Sequence, residues 1–323
     1  MRVNRVGRTD VRVTAVGFGS APIGNLYSDV SDETARGAIE AAWAAGIRYF
    51  DTAPHYGLGL AEQRLGRALA QYDRSEFVLS TKVGRLLVPN PAPVGSDLAA
   101  GGFAVADQLT RKRDYSADGT RRSIEASLKR AGTDRFDIVL VHDPDDYADQ
   151  ALSQAIPSLI ELREQGVIGA VGVGMNQWQV PLRMVREADL DVVMLAGRWT
   201  LADRSGAQLM HECRDRGISV LAAAPYNSGL LAHDWPRDDA RFDYAPAPAS
   251  MLAGARRMAR IGTRHGVTLP ELAIQFPARH PATAAVVVGL RSASEVRSTI
   301  ERATSEIPPH AWAELDEGAG HAN

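Results

Sequence analysis

Short apolar runs alternate along this chain with longer segments in which apolar residues recur every three or four positions. The short runs predict buried β-strands, and the helical spacing predicts amphipathic α-helices. From residue 16 onward the pattern predicts strands at 16–19, 47–51, 77–82, 138–142, 170–174, 192–196, 219–223 and 284–288. At least one helix follows each strand. Successive βα units of this number are typical of a closed parallel barrel, so we predict an α/β fold, a (β/α)₈ TIM barrel.

Capping and breaking residues bound the predicted helices. Ser31 is expected to cap the first helix, which ends before Gly46. Later helices are predicted at 61–70, 120–131, 151–165, 179–188, 208–216, 251–265, 270–278 and 294–304, with a short one after Pro309. Residues 1–14 alternate polar and apolar side chains around a turn at 7–10, which predicts a β-hairpin ahead of the barrel. No composition break marks a linker, so residues 1–323 are predicted to form one domain.

Two long segments interrupt this pattern. After residue 82, prolines and glycines break the periodicity until a helix resumes near Thr120, and a second irregular segment spans 224–250. Long loops inside a compact domain are usually functional or disordered, and the βα loops of a barrel surround the C-terminal ends of its strands. The sequence therefore predicts two long βα loops around a working site at that face.

Composition limits the classes of function. The 323 residues are 45% hydrophobic and 23% charged with a formal charge of −3, which is ordinary for a globular protein and provides no basic field for nucleic acid. A single cysteine, Cys213, rules out an internal disulfide and a cysteine-based zinc cluster. P-loop, His-Glu-x-x-His and Gly-x-Ser-x-Gly motifs are also missing, so no metal site is predicted. Without a signal peptide or a long apolar run, we expect a cytoplasmic protein with no membrane partner.

Polar residues mark the ends of four predicted strands. Asp51 ends the second strand, Lys82 the third and His142 the fourth, while Asn176 follows the fifth. Tyr56 lies on the loop that follows Asp51. Because the C-terminal ends of all strands meet at one face of a barrel, these side chains are expected to converge.

A tyrosine needs charged neighbours to exchange protons at neutral pH. Its ordinary pKa is about 10, but an adjacent ammonium favours the phenolate, and an imidazole can hydrogen-bond the same oxygen. We therefore expect Lys82 to lower the pKa of Tyr56 and Asp51 to hold Lys82 in place. With His142 orienting a substrate oxygen, Tyr56 would serve as proton donor or acceptor for a carbonyl or hydroxyl carbon.

These residues stand in motifs that resemble the aldo-keto reductase family. The matching contexts are Phe50-Asp51-Thr52-Ala53 with Tyr56-Gly57, Ser80-Thr81-Lys82 and Val141-His142-Asp143. The resemblance covers nearly the whole chain and implies that Tyr56, Asp51, Lys82 and His142 form the family's catalytic tetrad. It also implies a barrel enzyme that transfers hydride to or from a nicotinamide cofactor.

Further motifs resemble one branch of that family. They are His142-Asp143-Pro144-Asp145, the insertion between residues 101 and 116, and Pro225-Tyr226-Asn227-Ser228-Gly229-Leu230-Leu231. Similar motifs occur in aldose 1-dehydrogenases acting on L-fucose, L-galactose or D-arabinose and in pyridoxal 4-dehydrogenases, which implies oxidation of a cyclic hemiacetal to a lactone. The open alternatives are an NADPH-dependent reductase of pyridoxal or small aldehydes, and a redox-sensing subunit of a larger complex. Both a monomer and a small homo-oligomer remain open.

No Gly-x-Gly-x-x-Gly dinucleotide motif is present, because a loop and not a helix follows Gly17-Phe18-Gly19. The resemblance instead implies that NAD or NADP is held by strand ends and by the last βα loops. The implied cofactor residues are Gly19, Asn176, Ser228, Gly229, Leu230, Gly289, Arg291, Glu295 and Thr299. Glu295 slightly favours NAD, since a carboxylate repels a 2′-phosphate. His55, Trp199 and Tyr226 neighbour these motifs and are expected to line the substrate pocket.

Overall fold

The computed structural model describes residues 1–319, so the last four residues of the predicted domain lie outside the described part. Eight parallel strands close into a barrel, which confirms the predicted fold. They are β1 (Val16–Gly19), β2 (Tyr49–Asp51), β3 (Val78–Val83), β4 (Ile138–His142), β5 (Ala170–Met175), β6 (Val192–Ala196), β7 (Ser219–Ala223) and β8 (Thr283–Gly289). Each strand pairs with its neighbour in sequence, and Val286 of β8 lies opposite Val16 of β1 to close the barrel.

Helices surround the barrel in the predicted order. They are α1 (Asp32–Ala44), α2 (Leu60–Leu69), α3 (Ala117–Ala131), α4 (Ile156–Glu164), α5 (Gln179–Glu187), α6 (Ala207–Arg216), α7 (Ala249–Arg264), α8 (Leu269–Gln275), α9 (Ala293–Thr304) and α10 (Pro309–Ala319). The Ser31 hydroxyl caps α1 by accepting from the Thr34 backbone N–H, as expected. Helix α3 begins earlier than predicted because Ser116 caps it in the same way.

Apolar side chains fill the interior of the barrel and also the layer between its strands and the surrounding helices. Tyr49, Leu140, Met194 and Leu221 belong to the interior cluster and are nearly inaccessible to solvent. The N-terminal hairpin pairs Val3–Arg5 with Arg12–Thr14, and the buried Val13 belongs to the same interior cluster. The hairpin therefore packs against one end of the barrel core and leaves the opposite end for the βα loops.

The first long segment is more regular than the sequence predicts. Strands Arg85–Pro89 and Leu109–Arg113 form an antiparallel hairpin, and a short helix, Leu98–Gly101, lies between them. The Arg111 guanidinium pairs with Asp97 and also donates to the backbone carbonyl of His55 at 3.0 Å. This insertion is thus fixed against the loop that follows β2. The second long segment carries only a small hairpin, Arg241–Phe242 with Ala245–Pro246.

Arg64 on α2 anchors the loop between β1 and α1. Its guanidinium, 9% exposed, donates to the carbonyls of Ile23 and Val30 and to the side chain of Asn25, each at 2.7 Å. It also pairs with Asp32 at 2.7 Å. Since a buried backbone carbonyl that loses its donor is costly, this one side chain holds the loop in a single conformation.

Replacing Arg64 with alanine should lower the free energy of unfolding by about 3 kcal/mol, because the buried carbonyls of the loop lose their charged hydrogen-bond donor. Arg67→Ala is the matched control. Arg67 contacts the same Asp32 carboxylate at 3.5 Å but is 64% exposed, so its loss should cost less than about 0.5 kcal/mol. Urea unfolding followed by circular dichroism measures both variants, and equal losses would contradict the anchoring role of Arg64.

Candidate active site

A cavity of about 660 Å³ opens at the C-terminal ends of the barrel strands. Asp51, Tyr56, Lys82 and His142 line one part of it, so the structure brings together the four residues that the strand ends predict. A second cavity, of about 850 Å³, lies beside the N-terminal hairpin and is lined by paired charges such as Arg163 with Asp189. It contains none of the strand-end residues.

Lys82 connects the carboxylate and the phenol of the site. Its Nζ atom lies 2.9 and 2.7 Å from the two carboxylate oxygens of Asp51, and it donates to the carbonyl of Thr52 at 3.0 Å. It also lies 2.9 Å from the hydroxyl oxygen of Tyr56. Ser80 donates to Asp51 at 2.7 Å. The ammonium is only 2% exposed, so Asp51 supplies the charge partner that such a buried cation requires.

Burial decides the protonation of the phenol. It raises the pKa of Tyr56 above its ordinary value, and the opposing effect of the Lys82 ammonium does not cancel this rise. Lys82 thus acts in the expected direction and lowers the pKa of Tyr56, but burial has the larger effect on this group. Burial alone would lower the pKa of Lys82, but Asp51 and Tyr56 outweigh it and raise that pKa. The resting site contains a neutral phenol next to an ion pair.

Two buried histidine rings border the phenol. The ring centroids of His142 and His55 lie 6.1 Å from that of Tyr56 and 5.7 Å from each other. Burial, followed by the Arg85 cation, lowers the pKa of His142 well below its ordinary value and that of His55 to about 2. Both imidazoles are therefore neutral at physiological pH. The Nδ1 atoms of both rings are buried without a hydrogen-bond partner among the described residues.

The structure adds residues that the sequence analysis missed. The Tyr115 hydroxyl is 2.6 Å from the carbonyl of His142 and 2.8 Å from that of Asp143. Asp143 lines the cavity and pairs with Arg85 of the insertion at 2.5 Å. Tyr27 and Tyr244 line the mouth of the cavity from the two loops that follow β1 and β7. The positive φ of both tyrosines could not be predicted from residue type, since that conformation is rare outside glycine.

Most of the predicted cofactor residues lie on the same cavity. The lining includes Gly19, Asn176, Ser228, Gly229, Gly289, Arg291, Glu295 and Thr299. A Cβ atom at Gly19 would lie 3.1 Å from the carbonyl of Val288, so the strand ends approach closely there. The Tyr226 hydroxyl is buried near Thr299 and Arg302, but no described group completes a hydrogen bond of normal geometry to it. An unpaired polar atom, two arginines and backbone amides along one continuous cleft fit an extended, phosphate-bearing dinucleotide.

Three predicted residues lie outside the cavity lining. Trp199 packs against Phe276 and His280 beneath the last helices, with ring centroids 5.4 and 5.3 Å away. Leu230 is 1% exposed and packs in the same apolar cluster. Both side chains pack in the apolar cluster and not on the cavity, because apolar burial outweighs proximity in sequence; the assignment of Trp199 to the substrate pocket and of Leu230 to the cofactor stays a prediction. The His55 ring neighbours that of Tyr56, with centroids 6.1 Å apart, and Tyr226 lines the cavity near Thr299.

The family follows from this geometry and from comparison with known proteins. The model of the Aldo/keto reductase family matches residues 15–319. The chain belongs to this family and is an NAD(P)-dependent oxidoreductase. Within residues 1–319 no helix combines the length and apolar character needed to cross a bilayer, and no group of three metal-binding side chains converges.

The chain is also similar to individual enzymes whose reactions are named. The chain is 44% identical to a D-threo-aldose 1-dehydrogenase from Pseudomonas sp. over 309 residues, covering 94% of each chain. It is 38% identical to a pyridoxal 4-dehydrogenase from Microbacterium luteolum, covering 96% of this chain and 95% of the relative. A glycerol dehydrogenase structure from Gluconobacter oxydans superposes with a TM-score of 0.80 over 99% of this chain and 96% of its own, at 22% identity, which supports the fold alone.

The neutral state of His55 generates a prediction about acid stability. Below its ordinary pKa of about 6.5 the unfolded chain binds a proton at this residue that the folded chain does not bind. The stabilisation is therefore present above pH 6.5 and is lost as the pH falls, with a slope that approaches about 1.4 kcal/mol per pH unit.

Replacing His55 with glutamine should accordingly reduce the pH dependence of the unfolding free energy by about that slope between pH 6 and 5. Urea unfolding at several pH values measures it, with the exposed His233→Gln as control. A His55→Gln variant that retains the full wild-type slope would show that the folded protein binds the proton as well.

Proposed function

We propose that this enzyme oxidises the anomeric hydroxyl group of an aldose to the corresponding lactone, with NAD(P) as hydride acceptor. The observation that carries the proposal is the contact between the Lys82 ammonium and the Tyr56 hydroxyl at the wall of the cavity. Such a contact places a group that can exchange protons beside a cleft large enough for a cofactor and a small substrate. The 44% identity to a D-threo-aldose 1-dehydrogenase supports a cyclic aldose as the substrate.

Each residue of the proposed tetrad has a role that follows from its contacts. Asn176, Arg291 and Glu295 line the cleft and would hold NAD(P), which would supply the acceptor for the hydride of the anomeric carbon; that carbon would become the lactone carbonyl. Tyr56 first loses its own proton to solvent and then, as the phenolate, takes the proton of the anomeric hydroxyl. Lys82 stabilises the phenolate through its 2.9 Å contact, and Asp51 balances the charge of Lys82. Since both electrons leave with the hydride, one proton is released to solvent in each cycle.

His142 acts as a neutral group in this proposal. Its depressed pKa keeps the imidazole uncharged, so it can donate one hydrogen bond to the substrate oxygen without competing for the Tyr56 proton. The contacts of the Tyr115 hydroxyl with the carbonyls of residues 142 and 143 hold this part of β4 in place. Tyr115 is thus a positioning residue.

Pyridoxal oxidation is the second candidate, and the 38% identity to a pyridoxal 4-dehydrogenase favours it. The rings of Tyr27 and Tyr244 at the cavity mouth suit either substrate. An aromatic face packs against the C–H groups of a sugar and also stacks on a pyridine ring. Absorbance of the reduced nicotinamide, recorded with a panel of aldoses, pyridoxal and simple aldehydes, separates the candidates. If pyridoxal is the only compound oxidised, pyridoxal and not an aldose is the substrate. If the enzyme only reduces aldehydes, the reaction runs in the opposite direction to the one proposed.

Replacing Tyr56 with phenylalanine removes the only atom that takes the proton in this scheme. We expect kcat for the best substrate of the panel to fall by at least about 10²-fold, with binding of NAD measured by protein fluorescence largely retained. Tyr72→Phe is the matched control, since the Tyr72 ring stacks on Trp43, with ring centroids 3.7 Å apart, and takes no part in the cavity. Wild-type turnover by Tyr56→Phe would contradict the assignment.

We further propose that NAD is preferred over NADP. Glu295 lies on the cavity wall, accepts from the backbone N–H of Arg291 at 2.9 Å and lies 3.7 Å from the guanidinium of that residue. The Glu295 carboxylate thereby pairs with the Arg291 guanidinium, which would otherwise be free to bind a 2′-phosphate. It also repels a phosphate directly, whereas it can accept a hydrogen bond from a 2′-hydroxyl.

Replacing Glu295 with glutamine should raise kcat/KM for NADP by about tenfold, equal to about 1.4 kcal/mol, and change kcat/KM for NAD much less. Glu301→Gln removes a charge from an exposed position on the same helix and serves as the control. The two constants are obtained from initial rates at varied cofactor concentration. A ratio of NAD to NADP efficiency that stays the same in Glu295→Gln would remove Glu295 from cofactor choice.

A further inference from the structure

Asp143 is held in an unusual conformation at the rim of the cavity. Its φ angle is +40°, in the left-handed region that side chains other than glycine rarely adopt. Two contacts hold the backbone there: its N–H donates to the carbonyl of Gly174 at 3.0 Å, and its own carbonyl lies 2.8 Å from the Tyr115 hydroxyl. Backbone strain that the surroundings maintain is a feature of functional positions. At this position the strain accompanies a side chain that lines the cavity.

Only half of the Asp143 carboxylate is used within the protein. Its Oδ2 atom accepts from Arg85 at 2.5 Å and lies 3.5 Å from Nε2 of His142. Its Oδ1 atom has no hydrogen-bond partner among residues 1–319. A carboxylate offers about four acceptor sites, so capacity for an additional donor remains on a side chain that is 17% exposed.

The Arg85 cation favours the charged form of this carboxylate. The guanidinium is 14% exposed and reaches Asp143 from the insertion that follows β3. Burial raises the pKa of Asp143, and the Arg85 cation opposes that rise. A charged acceptor in a partly dry cavity binds a hydroxyl donor more strongly than a neutral acceptor does. A substrate without a hydroxyl at that point would remove water from the Asp143 carboxylate without donating a hydrogen bond to it, which is unfavourable.

We propose that Asp143 is a specificity-determining residue that accepts a hydrogen bond from the hydroxyl group on the carbon next to the reacting carbon. This inference rests on the proposed aldose oxidation, in which His142 contacts the reacting oxygen. Oδ1 belongs to the same carboxylate as Oδ2, which lies 3.5 Å from Nε2 of His142, so a hydroxyl bound at Oδ1 lies next to the oxygen that His142 contacts. The substrate class is therefore aldoses with a free C2 hydroxyl, in preference to 2-deoxy sugars and unsubstituted aldehydes.

D-Arabinose and 2-deoxy-D-ribose differ only at the C2 hydroxyl and provide the test. We expect wild-type kcat/KM to be about ten- to hundredfold higher for D-arabinose, the range of one hydrogen bond to a charged group. L-Fucose and 2-deoxy-L-fucose form a second pair. In Asp143→Asn the neutral amide oxygen is a weaker acceptor than the carboxylate, so the ratio between the C2-hydroxylated sugar and its 2-deoxy partner should fall toward one. Asp143→Ser removes the carboxylate with a smaller side chain and serves as the alternative variant if Asp143→Asn does not fold.

Asp145→Asn is the matched control, because Asp145 lies in the same loop, is exposed and is absent from the cavity lining. Its ratio between the two sugars should equal that of the wild type. Equal losses on both sugars in Asp143→Asn, with NAD binding retained, would assign Asp143 a purely structural role and overturn the proposal. A wild-type enzyme that oxidises each pair with equal efficiency overturns only the role of Asp143. One that oxidises no aldose overturns the proposed function as well.

Discussion

The placement of a buried ammonium in the barrel is the constraint on which this site depends. A cation as inaccessible as Lys82 requires a carboxylate in contact, and Asp51 at the end of the neighbouring strand supplies it. Ser80 fixes the carboxylate from below, and its hydroxyl is 3.1 Å from that of Tyr49 inside the barrel. Tyr49 in turn requires Gly17, because a Cβ atom there would lie 2.6 Å from its ring. The polar site is thus continuous with the packing of the core.

The insertion after β3 extends this electrostatic arrangement outward. Arg85 and Arg111 come from its two strands, and both contribute to the depressed pKa values of the two buried histidines. Arg111 also donates to the carbonyl of His55, while Tyr115, just after the second strand, contacts the end of β4. The insertion after β3, which has the sequence of an irregular loop, is therefore a folded hairpin with fixed contacts to the loop after β2 and to the end of β4. It sets the charge and the position of residues on two different strands.

The barrel and the four convergent side chains could be predicted from the sequence because both depend on local patterns. Apolar runs locate the strands, and the last polar residue of each strand must lie at the common face. The hairpin of the insertion could not be predicted, since strand Leu109–Arg113 is rich in charged residues and its pairing is set by contacts with distant segments. The packing of Trp199 could not be predicted for a related reason: the chain beyond β6 turns its ring toward Phe276, a neighbour far away in sequence. The net shift of the Tyr56 pKa depends on the depth of burial, which no motif reveals.

The net charge of Asp51, Lys82 and Tyr56 affects which direction of the reaction, oxidation or reduction, these side chains favour. Asp51 and Lys82 cancel each other, and the neutral phenol of Tyr56 leaves the buried site without net charge. In the proposed oxidation the phenolate would give that site a net negative charge, which burial opposes. An oxidised nicotinamide ring carries one positive charge, so its binding in the same cavity would offset this cost, whereas the neutral reduced ring would not. The phenol would therefore favour proton release beside the oxidised cofactor and proton donation beside the reduced one.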